Sequence, residues 1–252
     1  MSKKPLITSS LSQGAKGVEV EKLRTYLSNL GYLKPSTNSS FDKDVTNSLR
    51  VYQGAFGLDP TGELDLPTVE LLNTPRCGVA DFGGYDYIGC RWSSTHLKWS
   101  LTSGGNTISK TDARKGLIQA FDTWAQVSKL TFEEVAPDKN AQLPVSFHKG
   151  DHGDGAAFDN ASGVLAHAFY PPTCGGTYSG HIHFDDSETW TMDASVESGK
   201  DFITVAIHEI GHALGLDHER KVKAVMQPHY KNPERNLYAD DIRGIQSIYG
   251  KP

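Results

Sequence analysis

The densest chemistry in this 252-residue sequence lies at residues 208–218, HEIGHALGLDH. Side chains four apart on an α-helix project from one face, so His208 and His212 can grip one metal ion while Glu209 stands beside them. Gly215 can adopt the left-handed conformation that ends a helix, letting the chain turn and return His218 as a third nitrogen ligand. Three neutral imidazoles leave one position of a tetrahedral ion open, the pattern of a catalytic rather than a closed structural zinc site. Zinc lowers the pKa of a bound water from about 15.7 towards about 7, and a carboxylate that is not itself a ligand can take the proton. Glu209 is the candidate for that base, and hydrolysis of a peptide bond is the reaction expected.

Two further stretches carry ligand-type residues. Residues 152–190, HGDGAAFDNASGVLAHAFYPPTCGGTYSGHIHFDDSETW, are too rich in His and Asp for an ordinary surface loop. Residues 75–81, PRCGVAD, place Cys77 more than a hundred residues ahead of the histidine helix. The chain has three cysteines, an odd number. Cys90 and Cys174 can pair and leave Cys77 alone, but spacing does not decide the pairing, and three reduced thiols are equally compatible with it.

These residues need elements to hold them. GVEVEKLRTYLSNLGYL sets Val18, Leu23, Tyr26, Leu27 and Leu30 at helical spacing before Gly31, and FDKDVTNSLRVYQGAFGL does the same with Val45, Leu49, Tyr52 and Phe56. LPTVELLN adds a third helix with Pro67 in its first turn. Residues 1–73 therefore read as a small three-helix domain. Residues 74–90 are rich in turn formers and read as extended linker. In residues 91–252, THLKWSLTSG, LTFEEV, LPVSFHKG and VLAHAFY read as strands, whereas TDARKGLIQAFDTWAQVS, FITVAIHEIGHALGL and ADDIRGIQSIYG read as helices, an α+β arrangement. The net charge of −5, with scattered cations, excludes a broad basic surface and argues against nucleic acid as a partner. No apolar run reaches the roughly 18–20 residues that cross a bilayer, and MSKKPLITSS is not followed by the apolar segment of a signal peptide.

The extended motif HExxHxxGxxH, together with AVMQPHY, in which Met226 follows His218 by eight residues, resembles the metzincin metalloproteases and their Met-turn. Within that clan the chain most resembles the matrix metalloproteinases, or matrixins, since PRCGVAD is close to their cysteine switch. The resemblance runs from about residue 17 to residue 250. It implies a twisted mixed sheet with three helices behind a helical prodomain, and a latent proenzyme in which Cys77 is the fourth ligand of the catalytic zinc. A thiolate in that position displaces the water that the reaction needs. By the same resemblance His152, Asp154, His167 and His183 hold a second, structural zinc. Asp159, Asp185 and Glu188, with the carbonyls of Asn160, Ser162 and Val164, hold at least one calcium. Thr204, Pro228 and Tyr230 fall where the family forms the pocket for an apolar residue just after the scissile bond. The implied partners are protein or peptide substrates and the chain's own prodomain as inhibitor, in a secreted, extracellular monomer.

Several residues depart from the family pattern. Gln142 and His181 stand where many matrixins place two aspartates of a further calcium site, which argues against that ion. The loop between His167 and His183 is longer and contains Cys174, and Glu219 replaces a small hydroxyl residue with one typical of astacins. No dibasic processing site lies between Cys77 and Trp92, so cleavage within the glycine-rich linker is the expected route of activation. The N-terminal helices equally resemble a peptidoglycan-binding repeat. The alternative is therefore a bacterial cell-wall metallohydrolase tethered by that module, and Cys77 weighs against it because a tether has no use for a zinc-directed thiol.

Overall fold

The computed structural model describes residues 7–81, 90–137 and 139–252. The stretch 82–89, on which the expected linker cleavage falls, lies outside the described residues. The N-terminal helices are α1 (Val18–Asn29), α2 (Lys43–Ala55) and α3 (Leu66–Leu72). Asp42 caps α2 by accepting from the N–H groups of Asp44 and Val45, and Asp65 caps α3 by accepting from Thr68. Their apolar faces meet in one core of Val20, Leu23, Leu27, Val45, Leu49 and Tyr52. Val20 rather than Val18 begins the buried stripe of α1, and Val18 is 66% exposed.

The linker is not wholly extended coil. Arg76–Cys77 forms strand β1 and joins a six-stranded mixed sheet with β2 (His96–Leu101), β3 (Thr131–Glu134), β4 (Leu143–His148), β5 (Val164–Ala168) and β6 (Ile182–Asp185). The order is β1-β5-β6-β4-β2-β3, and β5 with β6 is the antiparallel pair. Short strands β7 (Trp190–Thr191) and β8 (Lys200–Asp201) pair in parallel and lead into the histidine helix.

Three helices cover this sheet region: α4 (Lys110–Ala125), α5 (Phe202–Ala213) and α6 (Ala239–Tyr249). Every residue of α5 is buried, consistent with its apolar character on all sides. Helix α4 packs along it, and Trp124 Nε1 donates to the Ile207 carbonyl at 2.9 Å. Helix α5 ends where Gly215 adopts φ +107°, and Leu216 N–H reaches back to the Gly211 carbonyl at 2.9 Å in a Schellman-type closure. A Cβ at Gly211 would overlap Met226 Sδ, so this glycine lets the 226 turn lie directly beneath the histidines. Cys90 and Cys174 form a disulfide, and Cys77 is the free thiol. Among the described residues, no helix is long and apolar enough to cross a membrane.

Candidate metal centres

Helix α5 and the turn after it bring His208, His212 and His218 together with Cys77 from β1. One ligand atom from each lies within 4.8 Å of the others, and all four residues are buried. The outer nitrogens show which way the rings face. His208 Nδ1 is 2.8 Å from the Val225 carbonyl, and His212 Nδ1 is 2.8 Å from the Leu216 carbonyl. A carbonyl only accepts, so both Nδ1 atoms carry the proton and both Nε2 atoms present lone pairs. His218 Nδ1 stands 3.0 Å from Asp81 Oδ1, which imposes the same tautomer. The Nε2 atoms then converge, 3.1 Å between His212 and His208 and 3.3 Å between His208 and His218. Three lone pairs at such spacing repel unless a cation lies among them. Burial, and next the neighbouring histidine, bring His208 down to about 3. Burial brings His218 down to about 4 against the pull of Asp81. Burial, and then the neighbouring His218, hold His212 well below its ordinary range too, so the site favours the neutral imidazoles that metal ligation requires. The donor set fits zinc.

Glu209 sits on the same helix, fully buried, with its carboxyl beside the Cys77 thiol. Burial pushes its carboxyl up to about 8. Burial, and then the Glu209 carboxylate, push the Cys77 thiol well above its ordinary range, while Val79 N–H donates to Sγ at 3.3 Å. A cation held by the imidazoles inverts that preference, because a coordinating thiol is deprotonated outright.

The segment that carries Cys77 is tied down on both sides. Arg76 is 1% exposed, and its Nη2 and Nη1 reach Asp81 Oδ1 and Oδ2 at 2.6 and 3.1 Å. Arg76 Nε donates to the Cys77 carbonyl at 2.9 Å. Cys77 N–H donates to the Pro228 carbonyl at 2.9 Å, and Tyr230 N–H donates to the Pro75 carbonyl at 2.7 Å. Cys77, Thr204, His208, Glu209, Pro228 and Tyr230 line one cleft of about 210 Å³. Thr204 lies at its α5 end, donating to Asp201 Oδ2 at 2.5 Å and accepting from Glu234 N–H at 2.8 Å.

The second cluster closes on one oxygen. His152 Nε2, His167 Nε2 and His183 Nδ1 lie 2.7, 2.8 and 2.8 Å from Asp154 Oδ2. Strands β5 and β6 hold His167 opposite His183 in register. Among the described residues, only this quartet and the Cys77 quartet bring three or more such ligand atoms within 4.8 Å. Asp159, Asp185 and Glu188 lie near one another without closing that tightly. Val164 N–H donates to Asp159 Oδ1 at 2.9 Å, and Ser162 N–H donates to Glu188 Oε1. Asp185 Oδ2 is buried without a partner, and Asn160 and Ser162 adopt φ +74° and +86°. Gln142 spends its Oε1 accepting from Lys98 N–H at 2.9 Å.

Sequence reasoning missed the carboxylates that brace the site from behind. Asp241, in the first turn of α6, accepts from Val225 N–H at 2.9 Å and Met226 N–H at 3.3 Å and so fixes the turn under the histidines. Asp201 pairs with Arg235 and accepts from Thr204 Oγ1, and so braces the residue that lines the cleft. ADDIRGIQSIYG reads as a helix from its sequence, but the reach of Asp241 to residues 225 and 226 is tertiary. His229 bridges to the N-terminal helices: its ring meets Phe56 edge-on at 4.7 Å, and its Nε2 lies 3.3 Å from Tyr52 Oη.

A mixed sheet whose central helix carries HExxHxxGxxH above a methionine turn defines a class of zinc metallopeptidases, and comparison with known families agrees. Residues 91–250 match the family model described as matrixin, and the chain belongs to that family. Residues 16–72 match the model described as a putative peptidoglycan binding domain. The chain is 38% identical to the hatching enzyme of Paracentrotus lividus over 244 residues, covering 95% of this chain and 40% of that protein. It is 36% identical to mouse (Mus musculus) stromelysin-1 over 243 residues, 92% of this chain and 50% of that protein. To human (Homo sapiens) matrix metalloproteinase-16 it is 33% identical over 254 residues, 91% of this chain and 41% of that protein. The chain thus spans half or less of the length of these relatives.

Proposed function

We propose that this chain is a zinc-dependent endopeptidase held latent by its own N-terminal region, with Cys77 as fourth ligand of the ion bound by His208, His212 and His218. The observation that carries the reading is the convergence of the buried thiol with three imidazoles whose outer nitrogens are all engaged. When bound, zinc supplies Lewis acidity, polarising a peptide carbonyl and making water a nucleophile near neutral pH. Glu209 takes a proton from the attacking water and returns it to the leaving nitrogen. Its buried carboxyl, beside the ligand position that Cys77 fills, suits that work. Thr204, Pro228 and Tyr230 form the wall that receives an apolar substrate side chain, and the carbonyl of Pro228 offers a backbone acceptor to an extended peptide. In the latent chain Cys77 N–H occupies that acceptor, so the pro-segment blocks both the ligand position and the peptide track.

His152, Asp154, His167 and His183 make a closed set suited to a structural zinc. Asp159, Asp185 and Glu188, with the carbonyls of Asn160, Ser162 and Val164, make a calcium site, supported by the orphaned Asp185 oxygen and the left-handed backbone beside it. The Cys90 disulfide supports an extracellular location. The tethered cell-wall hydrolase draws support from the match over residues 16–72. The partly buried contacts of Tyr32 with Asp81 and Tyr52 with His229 favour the inhibitory role for that region. The test is Cys77→Ala in the full chain. It is expected to hydrolyse peptides without cleavage, and a variant as latent as the parent would leave bulk blockage by the helices as the cause.

A further inference from the structure

The three imidazoles of the catalytic quartet differ in what stands behind them. His208 and His212 donate from Nδ1 to the carbonyls of Val225 and Leu216, which belong to the same region as the histidines. His218 donates instead to Asp81 Oδ1, across 137 residues of sequence, and both side chains are wholly buried. Asp81 belongs to the pro-segment, four residues beyond Cys77. It is also held firmly in place. Arg76 pairs with both carboxylate oxygens, Tyr32 Oη donates to Oδ2 at 2.9 Å, and the Asp81 N–H donates to the Leu30 carbonyl at 3.1 Å. From the other side Arg220, two residues beyond His218, donates to the Asp81 carbonyl at 2.9 Å.

A carboxylate behind a metal-binding imidazole does more than a carbonyl. It fixes the ring and its tautomer, and its full charge makes the opposite nitrogen a stronger donor. We infer that Asp81 is a positioning residue for the metal in the latent chain, acting through His218. The pro-segment then holds the site by two handles, the Cys77 thiol in front of the ion and the Asp81 carboxylate behind its third ligand. Departure of the segment removes both at once. His218 is left as the one histidine whose outer partner has gone, and so as the ligand most weakened by activation.

This inference rests on the proposed sharing of one ion by Cys77 and the three histidines, and the experiment separates the two ideas. Zinc transfer from the zinc-loaded full chain to a chromogenic chelator is timed for the parent, Asp81→Ala, Cys77→Ala and the double variant. Asp81→Ala is expected to speed transfer by about 10–100-fold in the parent, with Asp81→Asn intermediate because it keeps an acceptor, and by less in the Cys77→Ala background, where part of the population has already undocked. No acceleration in the parent, or acceleration with the His218 Nδ1–H proton resonance of Asp81→Asn unmoved, would mean that Asp81 does not act through His218, and would overturn the inference. Failure of the latency reading looks different, since Cys77→Ala alone would then leave transfer and latency as in the parent. Should Asp81→Ala not fold, Asp81→Asn gives the same comparison together with the His218 Nδ1–H proton resonance. That resonance is expected to move upfield as the carboxylate is lost, and an unmoved resonance refutes the idea.

Discussion

Replacing Arg76 by Met tests how the pro-segment is clamped. Arg76 and Asp81 are 1% and 2% exposed and joined by two contacts of 2.6 and 3.1 Å. Removing one member of such a pair strands a buried charge at a cost of about 3–5 kcal/mol. Tyr32 and His218 still donate to Asp81, which places the expected cost near the lower end of that range. The docked segment of the variant is weakened by that amount. At 1.4 kcal/mol per tenfold, about 3–5 kcal/mol multiplies the undocked fraction by roughly 140 to 3,700. The assay is the initial rate on a fluorogenic peptide, with mass spectrometry showing the chain intact. The uncleaved variant is expected to hydrolyse peptide at least about 100 times faster than the uncleaved parent, up to the ceiling set by cleaved enzyme. Arg76→Lys keeps the charge but not the two-pronged geometry and is expected to fall between them. Equal latency in Arg76→Met and parent would refute the reasoning.

Other expectations follow from the same geometry. Glu209→Ala in the cleaved enzyme should keep its zinc by elemental analysis yet lose about 10²–10⁴-fold in kcat, and near-normal turnover would remove Glu209 as the base. The disulfide closes a loop between residues 84 apart, so Cys90→Ser with Cys174→Ser should cost about 2–4 kcal/mol and lower Tm by roughly 4–16 °C; an unchanged Tm would contradict this. Burial, then the Arg76 charge, hold His229 well below its ordinary pKa, so the docked state favours the neutral ring. The undocked ring takes up a proton as pH falls below about 6.5, and docking therefore weakens on acidification from that value. The ratio of uncleaved to cleaved activity should rise below pH about 6.5 in the parent and stay flat in His229→Phe, and a flat ratio in both would exclude His229.

The parts of the site that were legible in sequence are those set by local periodicity. The four-residue step from His208 to His212 and the glycine at 215 are properties of a helix and its end, and both are readable without tertiary knowledge. Strand β1 was not, because a two-residue strand has no period and exists only where the linker meets β5. Strand β6 was passed over although Ile182, His183, Phe184 and Asp185 alternate apolar and polar, because four residues inside a stretch dense in His and Asp are too short a run to separate from a ligand-bearing loop, and in the fold all four are buried. On α1, Val18 and Val20 are equally apolar, and only packing against α2 decides which is covered. The carboxylates behind the site, Asp81, Asp201 and Asp241, face partners that tertiary folding alone brings near. Asp81 stands five residues from Arg76 in one short motif, yet its partnership with His218, 137 residues away, exists only in the fold.

The central claim is that one sulfur and three imidazole nitrogens share one ion in the latent chain. X-ray absorption at the zinc edge of the intact full-length protein measures this directly. The account predicts a sulfur shell at about 2.3 Å that is absent from Cys77→Ala. A spectrum of the intact parent with nitrogen and oxygen ligands only would contradict it.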